Sequence, residues 1–101
     1  PNFVHSMDAT AMRMYTNIAR DNGISNFGLV HDSFATHAAD TEMSAACIRH
    51  AFVDLYAGED VLETLRTSLS ELVDDPDDIP PVPTKGSLEI ESIHGADYFF
   101  A

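Results

Sequence analysis

Residues 28–37, GLVHDSFATH, constrain the fold of this chain more than any other stretch. An apolar run through Ile24, Phe27, Leu29 and Val30 meets His31-Asp32-Ser33, then resumes at Phe34 and Ala35. A charge buried inside such a run is costly unless a cation, hydrogen bonds or exposure at a bend compensates it. Two short strands, Ile24 to Val30 and Phe34 to His37, joined at His-Asp-Ser resolve the conflict. They form an antiparallel hairpin with Asp32 at or near the bend, although no glycine serves the turn.

Helices are predicted on both sides of the hairpin. Met7, Ala11, Met14 and Ile18 recur at helical spacing over 8–21, with Asp8 as a cap and Asn22-Gly23 as a stop. A second helix is predicted from Thr41 to Ala57, capped by Asp40 and ended by Gly58. Ile48, Phe52 and Leu55 form its stripe, with Met43, Cys47 and Ala51 beside them. A third starts after Asp60 and carries Leu62, Leu65, Leu69 and Leu72, a seam that calls for an apolar partner. All three stripes read as ordinary core packing.

DDPDDIPPVP, 74–83, interrupts regular structure because four prolines remove backbone donors and favour an extended path. Its four aspartates lack the spacing of a calcium loop, so the stretch reads as a solvated connector. Beyond Lys85-Gly86, SLEIESI alternates apolar and polar residues, the pattern of a half-exposed strand. The final DYFFA is an aromatic tail, expected to fold back onto the body. The fold class is α+β: a hairpin flanked by about three helices. Residues 1–73 form the main segment, 74–86 a Pro/Asp-rich connector and 87–101 a C-terminal strand and tail.

A chain of 101 residues, 45% hydrophobic, suits one small domain. Beginning at Pro1, it is expected to be a processed product or a piece of something longer. No run approaches the roughly 20 apolar residues of a membrane span, and no leader pattern opens it. One cysteine, Cys47, excludes an internal disulfide framework. Seventeen acidic residues against five basic give a net charge of −12. By itself this argues against nucleic-acid binding and fits a metal site, a basic partner or a solvated acidic surface. Scattered histidines and one cysteine make no zinc pattern, and no glycine-rich phosphate loop occurs. Ser33, His31 and Asp32 are too close in sequence to act as a hydrolytic triad.

Four blocks, PNFVHSMD (1–8), GLVHDSFATH (28–37), PPVPTKGSLEI (80–90) and DYFFA (97–101), stand in register with one family. The chain resembles the C-terminal palm segment of the single-subunit, bacteriophage-type DNA-directed RNA polymerases, over its whole length. HDSF resembles the third polymerase motif, where the hairpin tip carries one of two catalytic aspartates that bind magnesium. The resemblance implies that Asp32 is catalytic and a ligand of two Mg2+ ions shared with an aspartate outside this chain. Such ions, about 4 Å apart, activate the attacking hydroxyl and steady the triphosphate and departing pyrophosphate.

His5, in FVHSMD, resembles the family histidine that touches the minor-groove side of the template–product duplex, where acceptors common to all base pairs are read. His31 and Ser33 flank Asp32 and are expected to steady it from behind. Phe100 and Ala101 resemble the family's aromatic foot, packed near the active site. Ala35 departs from the glycine common after HDSF, and the first helix carries only Arg13 and Arg20. The implied partners are the remainder of the polymerase and, through it, DNA template, RNA product and nucleoside triphosphates, with no membrane. The implied location is the cytoplasm of an infected host cell. Such a segment is inactive alone. A non-catalytic interaction module and an acidic metal-binding domain remain the alternatives; upstream sequence encoding the missing aspartate and lysine motifs separates them from the first reading.

Overall fold

The first helix begins at Asn2, six residues before the expected start at residue 8. In a computed structural model describing residues 1–99, α1 runs over Asn2–Asp21 with Pro1 at its N-cap. The cause is local. Phe3 and Met7 extend the apolar face, while the Ser6 and Thr10 hydroxyls donate to the carbonyls of Phe3 and Ser6, inside the helix. Asp8 is therefore an interior residue and no cap. The expected stop holds: Gly23 takes φ 88, the left-handed conformation that a side chain resists.

The hairpin follows, with β1 (Phe27–Val30) antiparallel to β2 (Ser33–Thr36). Phe27 pairs with Thr36, Gly28 with Ala35, Leu29 with Phe34 and Val30 with Ser33. Phe27, Leu29 and Phe34 turn toward the core, as the alternation requires. Val30 and Ser33 face water.

α2 spans Thr41–Ala57, the expected bounds. Asp40 precedes it but makes no side-chain cap bond; instead it closes a 3-10 turn, Ala38–Asp40. Gly58 ends α2 because a Cβ there would stand 2.9 Å from the Asp54 carbonyl. The core joins α1 to α2 through Tyr15, Ala19, Cys47, Ile48 and Ala51, with Ile24 from the intervening loop. Alanines at 19 and 51 let the helices approach closely. Burial pushes the Cys47 thiol above its usual pKa, which keeps it unreactive.

α3, Val61–Ser70, is capped as expected: Asp60 accepts from the N–H groups of Leu62 and Glu63. Yet none of its residues is buried, and Leu72 lies past its end, 81% exposed. The leucine seam is only partly covered: Leu65 is half-buried, whereas Leu62 and Leu69 remain 38% and 40% exposed. The connector contains a 3-10 turn at Pro76–Asp78, capped by Asp75. The strand expected from SLEIESI does not form. Residues Ile90–Gly95 make a 3-10 helix that packs on α2. The segment packs on α2 and pairs with neither strand of the hairpin, so it winds locally and rests Ile90 and Ile93 inward. Among the described residues, three α-helices, short 3-10 turns and one hairpin make an α+β fold.

Candidate active site

A two-residue turn, His31-Asp32, closes the hairpin between the paired Val30 and Ser33. His31 has φ 54, the only positive φ at a non-glycine among the described residues. A positive φ inside a two-residue loop suits the right-handed twist of a hairpin's strands. Histidine tolerates this region better than branched residues do. The half-buried anchors Phe27, Leu29 and Phe34 hold the strands, so the strained turn is fixed from below.

Asp32 is exposed at the apex and borders two clefts. The first, about 520 Å³, is walled by His5, Asp8, Ala9 and Met12 of α1 and by His31 and Asp32. His5, His31 and Asp32, three residues expected to work together, thus meet in one cleft. The second, about 460 Å³, lies on the other side of the turn, where Asp32, Ser33 and Phe34 face Ser44, Arg49 and Phe99. Ser33 belongs to this side and is separated from His5. Phe100 and Ala101, the expected foot, lie outside the described residues. Of the aromatic tail, Phe99 packs edge-on to Phe52 at 5.0 Å, whereas Tyr98 is 93% exposed.

The structure adds residues that sequence reading missed. Asp8, Ala9 and Met12 share the first cleft with His5 because positions i, i+3, i+4 and i+7 fall on one helix face. Beginning the helix at Asn2 would have exposed that pattern. Tyr15, 1% exposed, shares a 2.8 Å hydrogen bond with buried Ser44 and meets Phe34 edge-on at 4.8 Å. It ties α1, α2 and the hairpin together beneath the apex.

Magnesium requires oxygen ligands in an octahedron, often one or two carboxylates completed by water and phosphate oxygens. Asp32, an exposed carboxylate at a cleft, fits as one such donor. No three His, Cys, Asp or Glu side chains converge to hold a metal among the described residues. One carboxylate leaves most positions of an octahedral ion to water, phosphate oxygens or other donors.

Residues 1–76 match the family model of DNA-dependent RNA polymerase. Over 103 residues the chain is 39% identical to the chloroplastic DNA-directed RNA polymerase 3 of Nicotiana sylvestris, covering 99% of this chain and 10% of that protein. It is 36% identical to DNA-directed RNA polymerase 1A of Nicotiana tabacum, covering 99% of this chain and 63% of that one. The DNA-directed RNA polymerase of Enterobacteria phage T3 is 36% identical over 104 residues, covering 100% of this chain and 12% of its own length. The chain thus spans about a tenth of the phage enzyme and of the chloroplastic one. With most of its length matched by the family model and the likeness extending to both phage and plant enzymes, the chain belongs to the DNA-dependent RNA polymerase family.

Proposed function

We propose that this chain is the C-terminal palm segment of a phage-type DNA-directed RNA polymerase and supplies one catalytic carboxylate, Asp32, to template-directed nucleotidyl transfer. The observation that carries the reading is the position of Asp32: the apex of a rigidly anchored hairpin, exposed, in one cleft with His5. Two Mg2+ ions, when bound, would activate the primer hydroxyl and neutralise the triphosphate. Asp32 would hold them from the hairpin side, with an aspartate elsewhere in the enzyme completing the pair. A carboxylate at a turn apex reaches into a substrate channel while its strands remain in the body. His5 stands across the cleft on α1, where an exposed imidazole donor can meet minor-groove acceptors of the product duplex. His31 sets the turn conformation that aims Asp32, and Ser33 is the first β2 residue after it.

The partners are the remainder of the polymerase, DNA, RNA and nucleoside triphosphates. No helix among the described residues is long and apolar enough to cross a membrane. The phage relative supports a location in the cytoplasm of an infected cell. The partly exposed α3 seam supports docking against the rest of the enzyme.

The test is Asp32→Asn in the complete polymerase. The amide preserves shape and removes the charge, so nucleotide incorporation should fall by about 100- to 1,000-fold or more while promoter binding and thermal melting hold. Near-normal elongation would show that another carboxylate does this work. His5→Ala should be milder, lowering processivity or fidelity, and unchanged values of both would assign His5 to structure alone.

A further inference from the structure

The face of α2 that looks away from α1 grips the C-terminal arm, residues 90–99, at three places. His50 meets His94 with ring centroids 4.6 Å apart. Phe52 meets Phe99. Between them the Arg49 guanidinium donates from Nη2 to the Ala96 carbonyl at 3.0 Å, a bond across 47 residues of sequence. The same side chain reaches the Ala45 carbonyl of its own helix at 3.4 Å, while its Nε is buried without a partner among the described residues. A half-buried cation that leaves one donor unmet is worth keeping only for what its other donors hold. Three residues after Ala96, Phe99 enters the cleft that Arg49 shares with Asp32, Ser33 and Phe34.

We propose that Arg49 is a positioning residue of the polymerase reaction: by holding the Ala96 carbonyl it seats the C-terminal arm so that Phe99 packs behind the hairpin tip and keeps Asp32 in place. The proposal rests on the reading of Asp32 given above. The edge-to-face ring contacts bring the arm against α2. The hydrogen bond from a planar guanidinium fixes its register. Released from that bond, the arm would leave one wall of the cleft open to water, and the hairpin would lose support on the side opposite His5.

The experiment is a double-mutant cycle in the complete polymerase with Arg49→Ala, Phe99→Ala and the pair, following single-nucleotide incorporation. Arg49→Ala should lower kcat about tenfold and leave the nucleotide KM within about twofold, because the residue touches no substrate. Phe99→Ala should act similarly. The pair should be about tenfold slow as well, since both remove the same support, whereas independent roles would multiply to about a hundredfold. Arg49→Lys, whose ammonium can still donate to the carbonyl but lacks the planar fork, should recover part of the rate. Multiplying losses, or wild-type kcat in Arg49→Ala, would overturn the proposal. If Arg49→Ala does not fold, Arg49→Met, which keeps an unbranched apolar stem and has no donor for the Ala96 carbonyl, replaces it in the same cycle. Full activity of Asp32→Asn would instead defeat the parent reading. An inactive Asp32→Asn beside a full-rate Arg49→Ala would defeat this inference alone.

Discussion

At the scale of single residues, the site depends on one buried hydroxyl pair beneath an exposed carboxylate. Tyr15 and Ser44 are buried and bonded to one another. Tyr15→Phe keeps the ring contacts with Phe27 and Phe34 and strands the Ser44 hydroxyl. The complete protein should lose about 1–3 kcal/mol of stability in urea unfolding. Adding Ser44→Ala should return most of it, because removing both partners leaves nothing unsatisfied. A second substitution that fails to restore stability would mean that the ring position, and not the hydroxyl pair, is what Tyr15 supplies. Asp32 was legible in the sequence because a charge between two apolar runs has few places to go. His31 at φ 54 was not, since its strain is imposed by strand register and leaves no mark on residue type. Tyr15 was hidden for another reason. The predicted stripe shares Ala11 with the buried face, but Tyr15 and Ala19 each lie one position past Met14 and Ile18, which pack only at the core's edge, and that small rotation of the helix is set by its partner.

At the scale of elements, α3 is held at its N-terminus by charge. Asp60 caps the helix and forms a 2.7 Å ion pair with Lys85 from the connector. The Lys85 hydrogen bond, then the Glu63 N–H, hold the Asp60 carboxyl below the ordinary carboxylate pKa. A lowered folded-state pKa sets the sign: the stabilisation is complete above the ordinary carboxylate value, weakens as pH falls below it, and is gone once pH passes below the lowered value. Acidification should therefore loosen the start of α3 together with Lys85. Amide hydrogen-exchange protection of residues 61–64 in the complete protein, corrected for the intrinsic exchange rate at each pH, should fall on that acid limb. In Asp60→Asn, which can still cap but cannot ionise, the acid-dependent step should vanish. An acid limb that persists in Asp60→Asn would place the titration on another group. The cap itself was readable, because Asp before an apolar stripe has a local cause. The half-exposed strand at SLEIESI was misread for the opposite reason. Alternation predicts a strand only where an edge is free to receive it, and the two-stranded sheet lies elsewhere, so packing against α2 decided the outcome.

At the scale of the whole molecule, shape and charge both describe a body with surfaces left to be covered. A chain of this length packs ordinarily to a radius of gyration of about 13 Å. This one has 16.4 Å and extents of 54 × 26 × 22 Å. The excess lies in parts with little burial: α3 has no buried residue, and Leu72 and Leu88 stand largely in water. A groove of about 450 Å³ runs between Phe3, Val4 and Met7 of α1 and Val61, Leu62 and Leu88, apolar over most of its wall. A net charge of −12 keeps such a chain dispersed but gives it no grip on a phosphate backbone. The 101-residue chain alone should therefore incorporate no nucleotide on a primed template. Asp32 is one carboxylate where the chemistry needs ligands from two elements, and no cationic channel accompanies it. Calorimetry should find no saturable magnesium binding below about 1 mM, because a single exposed carboxylate leaves an octahedral ion almost entirely to water. Titrated with magnesium, Asp32→Asn should match the parent chain. Tight binding that disappears in Asp32→Asn would make this a self-contained metal site, and robust templated synthesis by the isolated chain would overturn its assignment as one part of a divided active site.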